Sequence, residues 1–248
     1  LSKRPFLDLF SGHAELYAQA RPTYPPSLIA EIASLAPGHA QAWDVGTGNG
    51  QAAHLLANYF DHVHATDASE QQVAQASQHP QISFRTEPAE SCSLLDASCD
   101  LVLVAQALHW FDLEVFYAEA RRVLKPGGVL AAIGYGWFYL DPILDEIVGR
   151  TVLKPLEPYW ASNNWLLVDG YRTIPFPGEE LRCAPAAVHL AWTRDQLLDY
   201  VRSWSAFRRW TYASERGWTD AVNEIEQAWP DGQARHVFMP IVSRVSRL

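Results

Sequence analysis

The chain has 248 residues, 48% of them hydrophobic and 19% charged, a composition that supplies a sizeable core and excludes a disordered protein. Lys and Arg number 19 against 28 Asp and Glu, a formal net charge of −9, which argues against a surface built on phosphate contacts and so against nucleic acid as a partner. No run approaches the roughly 18 apolar residues of a membrane span, and the opening LSKRPFLDLF lacks the long apolar run and small-residue cleavage site of a signal peptide, so a cytoplasmic protein away from the membrane is expected.

After an aromatic lead-in, Leu28, Ile29, Ile32 and Leu35 fall on one helical face that Pro37-Gly38 ends, which predicts a helix. A strand from Ala40 to Val45 follows, then the glycine run Gly46-Thr47-Gly48-Asn49-Gly50 and a helix through Ala52, Leu55, Leu56 and Tyr59. His62 to Thr66 reads as a second strand ending at Asp67, and Ser69 with Gln72 has capping-box spacing for a helix to about Gln78. Ile82 and Phe84 alternate in a third strand, and the apolar run from Asp100 to Ala105 is typical of a central strand covered on both faces. Leu113, Phe116, Tyr117, Ala120, Val123 and Leu124 keep helical spacing as far as Lys125-Pro126-Gly127-Gly128, and Val129 to Ile133 reads as a fifth strand. Such alternation makes an α/β protein with a mainly parallel sheet and a ligand site at the carboxyl ends of its strands.

Past residue 136 the composition shifts, with eight of the ten tryptophans lying in this half. Thr193 with Gln196 predicts a capped helix through Leu197, Leu198 and Val201, and Thr219 another through Val222, Ile225 and Trp229. Pro230-Asp231-Gly232 is a turn, after which Gln233 to Val245 reads as a last, antiparallel edge strand. Cys92, Cys99 and Cys183 form no CxxC pair and read as buried thiols in a reducing compartment. His62 and His64 share a strand face, but no third ligand stands at sensible spacing, so no metal site is expected.

The sharpest chemical signal is DVGTGNG at 44–50, between a strand and a helix, where glycines let the backbone approach a ligand at a helix N-terminus. Gly46, Gly48 and Gly50 are spaced G-x-G-x-G, with Gln51 where a dinucleotide fingerprint needs glycine or alanine, and no G-K-[ST] follows, which counts against NAD and against ATP hydrolysis. Asp67, at the end of the second strand and 21 residues past Gly46, is placed to accept both hydroxyls of a ribose or else to start the next helix; beside the glycine run the ribose role is favoured. Asp44 is expected at the pocket floor, where a buried carboxylate suits an ammonium group or a hydrogen-bonded turn. His109, after the fourth strand, is either a general base or a structural core histidine.

With DVGTGNG, the acidic residue in ATDAS, the stretch AESCSLLDASCDLV and RRVLKPGGVL in order between residues 41 and 134, the chain resembles the class I S-adenosylmethionine-dependent methyltransferases (methyltransferase type 11). The lead-in from Tyr17 through Arg21 to Tyr24-Pro25, the stretch AQALHWFD and the late Arg202-Ser203-Trp204-Ser205-Ala206 resemble, more narrowly, the branch that includes trans-aconitate methyltransferase-like enzymes. The resemblance implies a Rossmann-like, doubly wound, seven-stranded sheet in a single domain over 1–248. Within it, residues 1–36 form a helical lid, 37–136 the cofactor-binding core, 137–232 a helical, aromatic-rich acceptor-side insertion, and 233–248 the closing edge strand. It implies that Asp44, Gly46, Thr47 and Gly48 hold the methionine portion of S-adenosylmethionine with Gln106 facing it, that Asp67 and Ala68 hold the ribose, and that Ala89 and Glu90 contact the adenine. Tyr17 and Arg21, four residues apart, fold over the cofactor, with Arg21 gripping a carboxylate of cofactor or acceptor. Trp110, Trp204, Ser205 and Arg208 are the acceptor-side candidates.

The expected reaction is in-line methyl transfer to a small-molecule nucleophile, driven by alignment and exclusion of water. A carboxylate acceptor, as the branch resemblance implies, is already ionised and needs a cation such as Arg21; a hydroxyl or amine calls on His109. The alternatives are a nicotinamide-dependent oxidoreductase on the same sheet and a non-catalytic S-adenosylmethionine-binding protein.

Overall fold

The computed structural model describes residues 22–213 and 215–248; Tyr17 and Arg21 lie outside them. Helix α1 (Pro26–Leu35) buries Leu28, Ile29, Ile32 and Ala33. It leads into β1 (Gln41–Val45), α2 (Gln51–Leu56), β2 (His62–Asp67), α3 (Glu70–Ala74), β3 (Ile82–Thr86), β4 (Cys99–Ala105), α4 (Leu113–Val123) and β5 (Leu124–Tyr135). The second half supplies α5 (Pro142–Val148), a π-helical turn at Gly149–Leu153, α6 (Lys154–Leu156), α7 (Asn164–Val168), β6 (Glu179–Leu181) and β7 (Ala187–Trp192). It ends with α8 (Arg194–Arg202), α9 (Ser205–Ala213), α10 (Glu215–Ala228) and β8 (Arg235–Arg247).

Seven strands form one sheet in the order β3-β2-β1-β4-β5-β8-β6, with β7 pairing on β8 off that path. The first five are mutually parallel, and β8 runs antiparallel to β5, β6 and β7. Because β1 has β2 on one side and β4 on the other, the strand order reverses there, and the crevice at their carboxyl ends is the natural ligand site. Along β4, Leu101 and Leu103 join the core that holds α1 and α2, whereas Val102 and Val104 join the core that holds Phe116, Ala120 and Val123 of α4. That alternation is why the run reads as continuously apolar: both faces are covered.

The last strand is long enough to serve two partners. Ile241–Arg247 pair with β5, Arg235–Pro240 pair with β7, and only the three residues of β6 lie outboard of its end. Several local expectations shift. Helix α4 ends at Val123, ahead of Lys125-Pro126-Gly127-Gly128 as expected, but that stretch is already the start of β5: the β4–β5 register jumps between Cys99 and Leu101, and the Gly127 amide donates to the Leu248 carbonyl at 3.0 Å, so the C-terminal residues draw the turn into the sheet. Helix α3 stops at Ala74 instead of near Gln78, although Ser69 does cap it by accepting from the Gln72 amide. Thr219 lies inside α10, which begins at Glu215, whereas the Thr193–Gln196 capping box forms as read.

One buried carboxylate ties these strands together at their amino ends. Asp100, 2% exposed, accepts from the Ala40 and Gln41 amides at 3.0 and 3.1 Å and from Lys125 Nζ at 2.8 Å, so it links the start of β1 to the start of β5. Asp100→Ala leaves two backbone donors and an ammonium without this partner and should cost about 2–4 kcal/mol in urea unfolding. A loss below about 0.5 kcal/mol would show that water replaces the carboxylate at no cost.

Candidate functional site

The turn between β1 and α2 runs through the left-handed region, with φ of 70° at Gly46 and 92° at Gly50. A side chain is excluded sterically as well: a Cβ on Gly46 would lie 2.6 Å from the Ala107 Cβ, and one on Gly50 would lie 2.8 Å from the Phe84 ring. The turn is held from β2. The Thr47 amide donates to the Thr66 carbonyl at 2.8 Å, and the Gly48 amide donates to Asp67 Oδ2 at 2.9 Å. The other Asp67 oxygen accepts from the Ser69 amide at 2.8 Å, so this carboxylate both shapes the glycine turn and starts α3. Ala68 is exposed beside it.

Beneath the turn, Asp44 is fully buried. Its Oδ2 accepts from the Thr47 hydroxyl at 2.5 Å, while Oδ1 is buried without a hydrogen-bond partner among the described residues. Burial pushes this carboxyl up to about 7, against the lowering effect of the Thr47 hydroxyl and the Ala53 backbone, with the charge of Asp67 adding to the rise. An unpartnered acceptor under a backbone cradle is where a cationic or hydrogen-bond-donating part of a ligand fits. Ala89 is buried; Glu90 is half-buried and accepts from the Asp112 amide at 2.9 Å, which joins the loop before β4 to the start of α4.

Past the end of β4, Gln106 takes φ of 59°, a left-handed conformation that costs a non-glycine residue about 1–3 kcal/mol. Its amide donates to the Ile133 carbonyl at 2.9 Å and its Nε2 to the Tyr135 carbonyl at 3.1 Å, so β5 holds it there, and its Oε1 is buried without a partner. His109 follows in a 3₁₀ turn, Leu108–Trp110. It is buried, its Nδ1 lies 3.0 Å from the Tyr171 hydroxyl, and Asn164 is its other side-chain partner. Burial drives its pKa down to about 4, so the ring is neutral near pH 7.

Gln106 and His109, but not the glycine turn, Asp44, Asp67, Ala68, Ala89 or Glu90, line a cleft open to solvent beyond the carboxyl ends of β4 and β5. The second half of the chain contributes the other wall, with Trp137, Trp160, Trp165, Trp204 and Ser205 among its residues. The Trp160 and Trp204 rings lie 5.4 Å apart, and Trp137 lies 6.1–6.4 Å from Trp160, Trp165 and Trp204. The two halves of the site share a wall, because Gly46 packs on Ala107 and Phe111, the segment that carries His109 and Trp110. The structure thus brings Gln106, His109, Trp110, Trp204 and Ser205 of the sequence candidates together. Arg208 is exposed on α9 and does not line the cleft, a correction to its expected acceptor-side place. Trp137, Trp160, Asn164, Trp165 and Tyr171 escaped sequence reading: the density of tryptophan marked their region, but nothing in their spacing told cleft from core. Among the described residues, no three His, Cys, Asp or Glu side chains gather as a metal site, and no helix is long and apolar enough to cross a membrane.

A doubly wound sheet with a glycine turn at its switch point and an acidic residue ending β2 defines a Rossmann-like site for a nucleoside-bearing ligand. Residues 43–132 match the family described as "Methyltransferase domain". The chain is 30% identical over 226 residues to a Dictyostelium discoideum protein named "Putative methyltransferase", covering 90% of this chain and 85% of that one. It is 31% identical over 236 residues to the Saccharomyces cerevisiae protein named "Probable S-adenosylmethionine-dependent methyltransferase CRG1", covering 78% and 79%. A solved structure from Anaeromyxobacter dehalogenans, described as a "Putative Type II Methyltransferase", superposes with a TM-score of 0.85 at 38% identity, over 92% of this chain and 97% of that one. The chain belongs to the class I S-adenosylmethionine-dependent methyltransferases, and S-adenosylmethionine is its cofactor.

Asp44 gives this site a pH signature. The native carboxyl keeps its proton up to about 7, whereas an ordinary aspartate loses it near 3.8, so between those values the folded state binds the extra proton and stability falls as pH rises. Compared with Asp44→Asn, the wild type should lose melting temperature between about pH 4 and pH 7, with a constant gap above that. Parallel melting curves for the two proteins over that range would show that the carboxyl is not held neutral in the fold.

Proposed function

We propose that the chain transfers the methyl of S-adenosylmethionine to a small molecule held in the aromatic cleft. The observation that carries this reading is the shared wall: the glycine turn and the cleft meet at Gln106 to Phe111, so a donor on one side faces an acceptor on the other. When bound, S-adenosylmethionine supplies an electrophilic methyl on a sulfonium, and the sulfur keeps the bonding pair as the acceptor atom takes the methyl carbon. Asp44, Gly46, Thr47 and Gly48 hold its methionine portion, with the unpartnered oxygens of Asp44 and Gln106 as acceptors for its ammonium. Asp67 and Ala68 take the ribose, Ala89 and Glu90 border the adenine, and Tyr17 and Arg21 approach from the lead-in.

The protein's part is alignment and exclusion of water, which supplies on the order of 7–11 kcal/mol in well-oriented reactions. His109 acts here as a positioning residue rather than the base for the acceptor. A ring whose pKa is driven down to about 4 is a weak proton acceptor at pH 7, and its Nδ1 already faces Tyr171.

Calorimetric titration with S-adenosylmethionine tests the donor side. Binding should be in the micromolar range and weaken about tenfold or more in Asp67→Ala, which removes a charged acceptor of hydrogen bonds. Absence of binding by the intact protein would remove the reading; unchanged affinity in a folded Asp67→Ala would remove the ribose role.

A further inference from the structure

The lining of the cleft is unusual in what charge it carries. Among the described residues none of its fourteen wall residues is Asp, Glu, Lys or Arg. Its polar groups are neutral: the Gln106 and Asn164 amides, the Ser205 hydroxyl and the His109 ring, which burial keeps uncharged. Moving an ionised carboxylate or ammonium from water into such a lining leaves its charge without a partner, at a cost that hydrogen bonds to neutral groups do not recover.

Five of the other wall residues are tryptophans, beside Leu167, Val168 and the neutral phenols of Tyr135 and Tyr200. Trp137 meets Trp160, Trp165 and Trp204 at interplanar angles of 72°, 66° and 60°, so the rings stand edge to face instead of stacking on one another. Angled walls of this kind leave ring faces and edges for a guest, and a flat aromatic guest gains both buried area and the favourable offset or edge-to-face geometry.

Resting on the methyltransferase reading above, we propose that the acceptor is an uncharged, planar aromatic small molecule whose polar substituents meet Asn164 and Ser205. This selects against carboxylates, the class implied by the branch resemblance, and against cationic amines. The tryptophans act as specificity-determining walls.

The test uses three probes of one shape: naphthol, its ionised counterpart naphthoate, and the saturated, puckered decalol. Each is titrated calorimetrically into the full chain loaded with S-adenosylhomocysteine, after S-adenosylmethionine binding has been measured separately. Naphthol should bind about tenfold tighter than either of the others. Trp204→Leu should weaken naphthol about three- to tenfold while cofactor affinity changes by less than about twofold. Trp165→Leu, at a residue already 38% exposed, makes the same check where the fold tolerates the change. Naphthoate binding tighter than naphthol overturns the proposal in favour of a charged acceptor, and equal affinity for decalol overturns the planar requirement. Refusal of all three probes by a protein that binds S-adenosylmethionine overturns the proposal alone; failure to bind S-adenosylmethionine overturns it together with the methyltransferase function.

Discussion

The left-handed turn after β1 is the constraint from which the rest of the site follows. Gly46 has no Cβ, so Ala107 comes to where that atom would stand, at 2.6 Å, and the segment after β4 closes onto the segment after β1. Any other residue at position 46 would force the two apart and pay for a positive φ as well. The turn is also over-determined from outside itself, because Thr66 and Asp67 of β2 accept the Thr47 and Gly48 amides. Two neighbouring strands therefore fix one loop, and the loop fixes how the segment after β1 meets the segment after β4. Asp44 sits under this arrangement as a carboxyl held near 7 by burial, so the floor responds to a ligand's charge without presenting a permanent one.

Strain on the acceptor side is countered in the same way. Gln106 and Tyr171 both adopt positive φ without being glycine, at a cost of about 1–3 kcal/mol each. Gln106 is kept there by two carbonyls of β5. Tyr171 is completely buried, and its hydroxyl meets His109 Nδ1, so a residue of the aromatic half locks an imidazole of the cofactor half. This contact spans 62 positions of sequence, and it explains why the aromatic half is part of the same machine: it orients groups that the sheet alone presents.

How much of this was legible in the sequence depends on what stabilises each piece. The strands β1, β2 and β4 and the helix α4 announce themselves because their burial is set by local pattern, and Ser69 and Thr193 because capping is a local hydrogen bond. The glycine turn and Asp67 were readable because a positive φ and a carboxylate at a strand end are local requirements too. By contrast, β6 and β7 exist through pairing with β8, more than 40 residues away, and β7 is only partly buried, so no clean alternation marks it. Lys125 to Gly128 carries a helix-stop signal that holds, since α4 ends at Val123, but the strand already begins there, because C-terminal residues hydrogen-bond to Gly127 from far along the chain. Arg208 was placed by proximity to Trp204 in sequence, but Trp204, just ahead of α9, is buried, whereas Arg208, on α9, is exposed.

A cleft of neutral polar groups and indoles also decides where electrostatics can help the reaction. The sulfonium charge of the donor is largest before transfer, so groups that stabilise it on sulfur stabilise the ground state more than the transition state and do not accelerate the step. With a neutral acceptor the positive charge would be handed on, leaving sulfur and appearing on the acceptor atom as the new bond forms, and any proton on that atom would then pass to solvent at the open mouth of the cleft. Ring faces attract a cation through the quadrupole, by about 0.5–2 kcal/mol according to solvent exposure. Tryptophans ranged around the acceptor therefore interact most strongly with charge that arrives there during the reaction. A carboxylate acceptor would undergo the same change of charge, from negative to neutral, at the same place, so ring quadrupoles would favour its transfer to a similar extent. What such a lining distinguishes is the charge of an acceptor before the step, and therefore which acceptor binds rather than how fast it reacts.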